Sequence, residues 1–161
     1  MTHLKRVIAS LAMVMVFCLP SFADTILTVT VKQSGQADQL TEFSRGDLQD
    51  LGLATLRTAN DYVDGSAIFE GPLMRDLIVF VGGENANIAR MIASNDYTVE
   101  IPMEEFFKYR VIIALKQDGK QLSLRDKGPI WLIYPMSQHV ELRDPAFNNR
   151  LIWQLDRVTF E

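Results

Sequence analysis

Two histidines, one cysteine and several neighbouring carboxylates are the residues of this chain whose chemistry could hold a metal or move a proton. Their spacing argues against most of those uses. His139 stands alone in a polar stretch, whereas a zinc or acid–base site needs several converging ligands or a partnered imidazole, so it reads as a surface residue. Glu104 and Glu105 directly follow Pro102-Met103 and read as solvated first-turn acids of a short helix, where negative charge suits the helix dipole. Asp47, Asp50, Asp61 and Asp64 fall among turn formers and helix starts. The serines lack the glycine-flanked elbow of a nucleophile. Gly82-Gly83 is followed by Glu84, without the spaced glycines of a dinucleotide loop or the lysine of a triphosphate loop, and reads as a helix stop. No constellation of residues identifies an active site by itself.

Cys18 and His3 belong to a segment with the form of an export signal. His3, Lys5 and Arg6 make a basic start, Val7 to Leu19 is an uncharged apolar run too short to span a bilayer comfortably, and Pro20 breaks it. Ser21-Phe22-Ala23 then offers small residues where a signal peptidase cuts, so residues 1–23 are expected to be a signal peptide and residues 24–161 one exported, periplasmic domain. The alternatives are an uncleaved anchor and a lipoprotein; Phe17 stands where a small residue would precede a lipidated Cys18. The mature domain then holds no thiol and must rest on packing without disulfides. The formal charge of −4 becomes more negative once Lys5 and Arg6 are removed, which argues against a nucleic-acid partner.

The elements that must position any site read as follows. Thr25 to Lys32 alternates as a strand, Gln33 to Gln39 is a loop, and Ser44-Arg45-Gly46-Asp47 caps a short helix within Phe43 to Leu51 that Gly52 ends. Leu53 to Ala59 is a strand and Asn60 to Gly71 a polar loop. Gly71-Pro72 opens a helix with an apolar face of Leu73, Met74, Leu77, Ile78 and Val81. A second short helix is expected over Asn87 to Ala93, then a strand over Tyr97 to Ile101 and a helical turn over Met103 to Phe107. Val111 to Leu115 and Ile130 to Tyr134 are apolar runs suited to buried strands, with a hairpin at Gln117-Asp118-Gly119-Lys120 between them. A loop rich in proline and asparagine leads to a final strand, Leu151 to Phe160, with Trp153 in the core. Strands, then helices, then strands make an α+β chain with a mixed sheet and short helices.

Three segments add a likeness to that reading: Phe69-Glu70-Gly71-Pro72-Leu73-Met74-Arg75-Asp76-Leu77, then Ala93-Ser94-Asn95-Asp96-Tyr97 leading to Pro102, then Lys127-Gly128-Pro129-Ile130-Trp131-Leu132-Ile133-Tyr134-Pro135, closed by Ile152-Trp153-Gln154-Leu155. In order and spacing they resemble the oxidoreductase molybdopterin-binding domain, the sulfite oxidase-like fold. The closer resemblance is to its small exported members described as pterin-binding proteins. The resemblance implies a single sulfite oxidase-like domain over residues 24–161. In the molybdenum enzymes of that fold a metal-ligating cysteine lies upstream of the Phe-x-Gly segment, where this chain runs Thr55 to Asp61 without one. A threonine or asparagine cannot replace an anionic sulfur.

What the resemblance leaves is a pterin site. A pterin is a flat bicycle with an edge of donors and acceptors, suited to an aromatic face and a few fixed polar groups. Trp131 and Tyr134 beside Gly128 are the expected aromatic surface, and Asn95 and Asp96 the expected partners of the aminopyrimidinone edge. Arg57, Thr58 and Asn60 stand in the region of the missing cysteine, and Arg125 and Lys127 near the turn that in the oxidases meets a phosphate. Packing explains Trp131 and Tyr134 as well, and a turn or cap explains Asn95-Asp96. The expectation is a non-catalytic exported protein that binds a pterin, reduced and without metal, and acts as ligand sensor or regulatory partner of a membrane signalling protein such as a diguanylate cyclase, phosphodiesterase or sensor kinase. A molybdopterin-dependent oxidoreductase, or an accessory subunit of one, is the alternative.

Overall fold

Alternation in the first strand sets the sheet. In a computed structural model that describes residues 24–161, β1 (Thr25–Val31) buries Leu27, Val29 and Val31 on one face. β2 (Gln39–Ser44) returns antiparallel beside it and passes at Ser44 into α1 (Arg45–Asp50). A reciprocal cap starts that helix: the Ser44 side chain accepts from the Asp47 N–H, and the Asp47 carboxylate accepts from the Ser44 N–H at 2.8 Å. β2 was not expected as a strand, and its side chains explain why. Only Phe43 is buried in it, so no period-2 pattern marks it. The expected signal peptide lies outside the described residues.

β3 (Ala54–Thr58) and β4 (Ala67–Gly71) form an antiparallel pair, so the expected loop from Asn60 to Gly71 ends in a strand. Ala67, Phe69 and Gly71 alternate inward there, but two of the three are too small to show as a hydrophobic pattern. α2 (Met74–Val81) buries the expected Met74, Leu77, Ile78 and Val81, and Gly82 closes it in the left-handed region at φ 71°. β5 (Ile88–Ala93) corrects an expected helix. Its Ala89, Met91 and Ala93 are residue types that favour helices, yet the segment lies between two strands whose ladders it completes, and tertiary pairing overrides a weak propensity. β6 (Thr98–Pro102), α3 (Glu104–Lys108), β7 (Ile112–Ala114), the hairpin strands β8 (Lys116–Gln117) and β9 (Lys120–Gln121), β10 (Trp131–Ile133) and β11 (Leu155–Phe160) follow.

The main sheet has the order β2-β1-β11-β5-β6, parallel only between β1 and β11; a second sheet runs β3-β4-β8-β9, and β10 pairs with β7. β7 and β10 are covered on both sides, which is why they read as continuous apolar runs. Ile113 and Leu132 belong to the large core under the main sheet, while Ile112, Ala114, Trp131 and Ile133 belong to a smaller core with Leu56 and Phe69. The last strand begins at Leu155 and not at Leu151, because the preceding residues pair with β10 instead. The Leu132 N–H donates to the Ile152 carbonyl (2.8 Å), Trp131 bridges to Trp153, and Gln154 turns the chain with φ 51° into β11.

Gly71 sits where β4 crosses β7. A Cβ there would lie 1.9 Å from the Ile113 carbonyl oxygen, a backbone atom that cannot swing aside. Gly71→Ala is therefore expected to destabilise the domain by about 2–3 kcal/mol or more, measured by urea unfolding. An unchanged midpoint would mean that the two strands do not approach so closely.

Candidate functional site

A cavity lined by aromatic and amide side chains lies where three loops meet the segment diverted towards β10. It has a volume of about 230 Å³, and its aromatic side is made by Tyr62 from the β3–β4 loop, Tyr97 after β5 and Trp153 before β11. These three rings are 36%, 44% and 36% exposed, so each offers surface. Tyr62 meets Trp153 edge to face with centroids 5.0 Å apart. Its polar side is amide: Asn95, and Asn148 and Asn149 from the 3-10 helix over Pro145–Arg150.

Local hydrogen bonds fix these groups. The Asn95 side-chain oxygen accepts from the Tyr97 N–H (3.2 Å), an Asx turn that orients Asn95 and Tyr97 together. The Tyr97 hydroxyl donates to the Asn149 carbonyl (3.1 Å), tying the turn to the 3-10 segment. Asn148 donates its side-chain N–H to the Asp61 carboxylate. Asn60 accepts from the Tyr62 N–H (2.9 Å) and so sets the loop that carries Tyr62. The cavity thus presents aromatic faces on one side and amide edges on the other, with no carboxylate or cation in its lining. That set suits a flat, neutral, polar-edged ring. At about 230 Å³ it is smaller than the roughly 300 Å³ and upward of drug-sized sites, which favours a small flat ring system over a dinucleotide.

The expected site residues are only partly gathered here. Asn95 lines the cavity; Asp96, in the left-handed region at φ 64°, turns its carboxylate outward to accept from Arg157 (3.0 Å). Trp131 and Tyr134 offer no surface, because both are fully buried. The Trp131 indole N–H donates to the Leu151 carbonyl (3.0 Å) and its ring packs edge-on against Phe69; Tyr134 donates its hydroxyl to Glu105 (3.0 Å). The aromatic side of the cavity is therefore made by Trp153, Tyr62 and Tyr97 in place of the expected Trp131 and Tyr134. Trp153, expected in the core, is the tryptophan that faces the cavity, and Tyr62 touches both (centroids 6.5 Å from Trp131). Lys127 stands over the buried Trp131 ring at 5.1 Å, and Gly128 packs so closely on the Leu122 backbone that a Cβ would clash at 2.5 Å. Arg125 and Arg57 are exposed and line no part of this cavity.

Thr58 and Asn60 lie beside a second hollow of about 340 Å³, lined among others by Asn60, Ser137 and Arg143 and sharing Asn148 with the first. Thr58 is buried and closed on its neighbours: its hydroxyl accepts from the Ser137 N–H (3.0 Å), and the Ala59 N–H donates to the Ser137 hydroxyl (2.8 Å). The Asn60 side-chain NH2 is the one buried side-chain polar atom without a partner among the described residues. No group of three or more histidine, cysteine or acidic side chains gathers among them either. A molybdenum–thiolate site does not fit this donor set, which offers hydroxyls and amides where an anionic sulfur is needed.

One carboxylate departs from its expected role. Glu105 is buried, not solvated, and both of its oxygens approach Arg150 (2.6 and 2.7 Å) while Tyr134 donates to it. Arg150 ends the 3-10 segment that carries Asn148 and Asn149, so this pair holds that segment against α3. Burial raises the Glu105 pKa despite the opposing pull of Arg150, and burial with the neighbouring carboxylate raises that of Tyr134 well above its ordinary value. No protein-family model matches the chain, and no curated protein sequence matches it. Among solved structures it is similar to the sulfane dehydrogenase SoxCD from Paracoccus pantotrophus, with a TM-score of 0.57 and 12% identity over 83% of this chain and 38% of that chain. The chain thus spans well under half of that protein's length. The likeness establishes the fold alone, an α+β arrangement shared with part of that dehydrogenase.

A raised carboxylate pKa means that the native state keeps a proton that the unfolded chain has already released. The stability Glu105 contributes is complete below the ordinary glutamate range and declines as pH rises through its native value. Urea unfolding of the parent and Glu105→Gln, from about pH 4 to about pH 7, is expected to give a parent advantage that shrinks with rising pH. An advantage that grows with pH would contradict the assignment.

Proposed function

We propose that this chain is a non-catalytic binding protein for a pterin-class heterocycle, held without a metal, and that it works as an exported ligand sensor or regulatory partner of a membrane signalling protein. The observation that carries the binding half is the cavity of Tyr62, Tyr97 and Trp153 facing Asn95, Asn148 and Asn149. Aromatic rings stack on a flat bicycle, and side-chain amides supply both donors and acceptors to an aminopyrimidinone edge. The sulfite oxidase-like fold supports the reading at a coarse level, since the fold is distantly related to molybdopterin proteins. The absent thiolate in Thr55 to Asp61 favours binding over molybdenum chemistry. The signalling half rests on the family resemblance alone. For such a sensor to act, the ligand must bind one conformation better than another, and the loops of Asn95 and Asn148 are the parts that a bound ring would touch.

Purified mature protein is expected to show a thermal shift with reduced pterins and to release a pterin detectable by mass spectrometry when prepared from its exported, native form. The absence of both a thermal shift and a released pterin would overturn the reading. The two tryptophans separate binding from packing. Trp153→Ala is expected to weaken pterin affinity about tenfold, equivalent to about 1.4 kcal/mol, with little change in Tm. Trp131→Ala is expected to lower stability by about 3–5 kcal/mol as a core truncation. Equal effects of both changes on affinity at matched stability would place the ligand elsewhere.

A further inference from the structure

A surface groove of about 550 Å³ runs between α1 and α2, away from the residues that line the aromatic cavity. Its floor is Phe43, which is buried, with Leu51 beside it. Its wall is the outward face of α2, where Val79 and Phe80 are 55% and 64% exposed and follow Asp76 at the three- and four-residue spacing that shares a helix face. Phe80 rests edge-on against Phe43 with centroids 5.8 Å apart, so the exposed ring is held in position over the groove. The opposite rim is acidic: Asp47 and Asp50 stand one turn apart on α1. Arg75 approaches only Asp76, at 3.8 Å, and the Arg45 guanidinium is drawn inward to the Leu115 and Leu122 carbonyls, so neither neutralises the α1 rim.

We infer that this groove docks a basic amphipathic helical segment of another protein, its apolar side chains set on Val79 and Phe80 and its lysines or arginines meeting Asp47, Asp50 and Asp76. Helix-in-groove recognition uses this combination of apolar trough and charged rim, and charge complementarity selects the partner and speeds its arrival. The inference deepens the partner half of the proposed function and does not depend on the ligand. An acidic segment is disfavoured by three carboxylates around one trough. A second copy of this chain also presents exposed apolar residues beside basic ones, among them Leu124 with Arg125 and Phe107 with Lys108.

The test uses the whole mature chain, free of ligand, and two fluorescently labelled helical peptides: one of leucine, lysine and arginine, and one with glutamate at every basic position. Anisotropy is expected to show saturable binding of the basic peptide that weakens as salt rises, and no binding of the acidic one. Phe80→Ser and Asp50→Lys should each weaken binding about tenfold, since both residues are exposed and Asp47, which caps α1, is left intact. Absent or equal binding of the two peptides, or unchanged affinity in both variants, would overturn the inference. So would a concentration-dependent increase in mass that Phe80→Ser abolishes, which would give the groove to a second copy. Pterin thermal shifts measured on the same variants are expected to match the parent, so failure of the ligand reading and failure of the docking reading are separately visible.

Discussion

The hydrogen bond from the Trp131 indole to the Leu151 carbonyl is the constraint on which the candidate site depends. It holds the segment after the 3-10 turn against β10, where Ile152 then takes the Leu132 N–H and Trp153 bridges to Trp131. An extended chain alternates its side chains, so once Ile152 is directed into the large core, Trp153 must lie on the other side. The buried tryptophan thus determines where the exposed one sits, and Tyr62 spans the two. A buried indole N–H without an acceptor would cost about 1–3 kcal/mol, which gives this single bond its weight.

A second anchor acts on the polar side of the cavity. Glu105, Tyr134 and the half-buried Arg150 form a polar cluster in which the arginine also lies over the Phe147 ring at 4.3 Å. Burying a carboxylate is costly unless its lone pairs are met, and here an arginine and a tyrosine meet them. The cluster does not touch the cavity itself. Its effect passes through the 3-10 segment, whose Asn148 and Asn149 it positions, and the Asp61–Asn148 and Tyr97–Asn149 bonds carry that placement to the neighbouring loops.

Much of the architecture was legible because its physics is local. The Ser44–Asp47 cap, the α2 face ended by Gly82, the Asp118-Gly119 hairpin and the doubly buried runs of β7 and β10 each follow from residues close in sequence. β5 was not legible, since Ala89 and Met91 favour a helix until β11 and β6 flank them, and β4 hid behind an alanine and a glycine. The site was half legible. Asn95, expected from the Asn95-Asp96-Tyr97 segment of the resemblance, does line the cavity, but aromatic residues near Gly128 pointed to Trp131 and Tyr134 when Trp153 and Tyr62 hold the open surface. Nothing local tells which of two tryptophans on pairing segments is the buried one; the register of the pairing decides it. Glu105 was hidden for the same reason, because Arg150 and Tyr134 lie far along the chain.

The central claim is that a flat heterocycle enters beside Trp153 and leaves Trp131 untouched. The chain has two tryptophans, so a two-dimensional nitrogen–proton NMR titration with a reduced pterin resolves the question from two indole signals. The Trp153 indole and the side-chain amides of Asn95, Asn148 and Asn149 are expected to shift with saturation while the Trp131 indole stays in place. Movement of the Trp131 signal without Trp153, or no saturable shift in either, would contradict it.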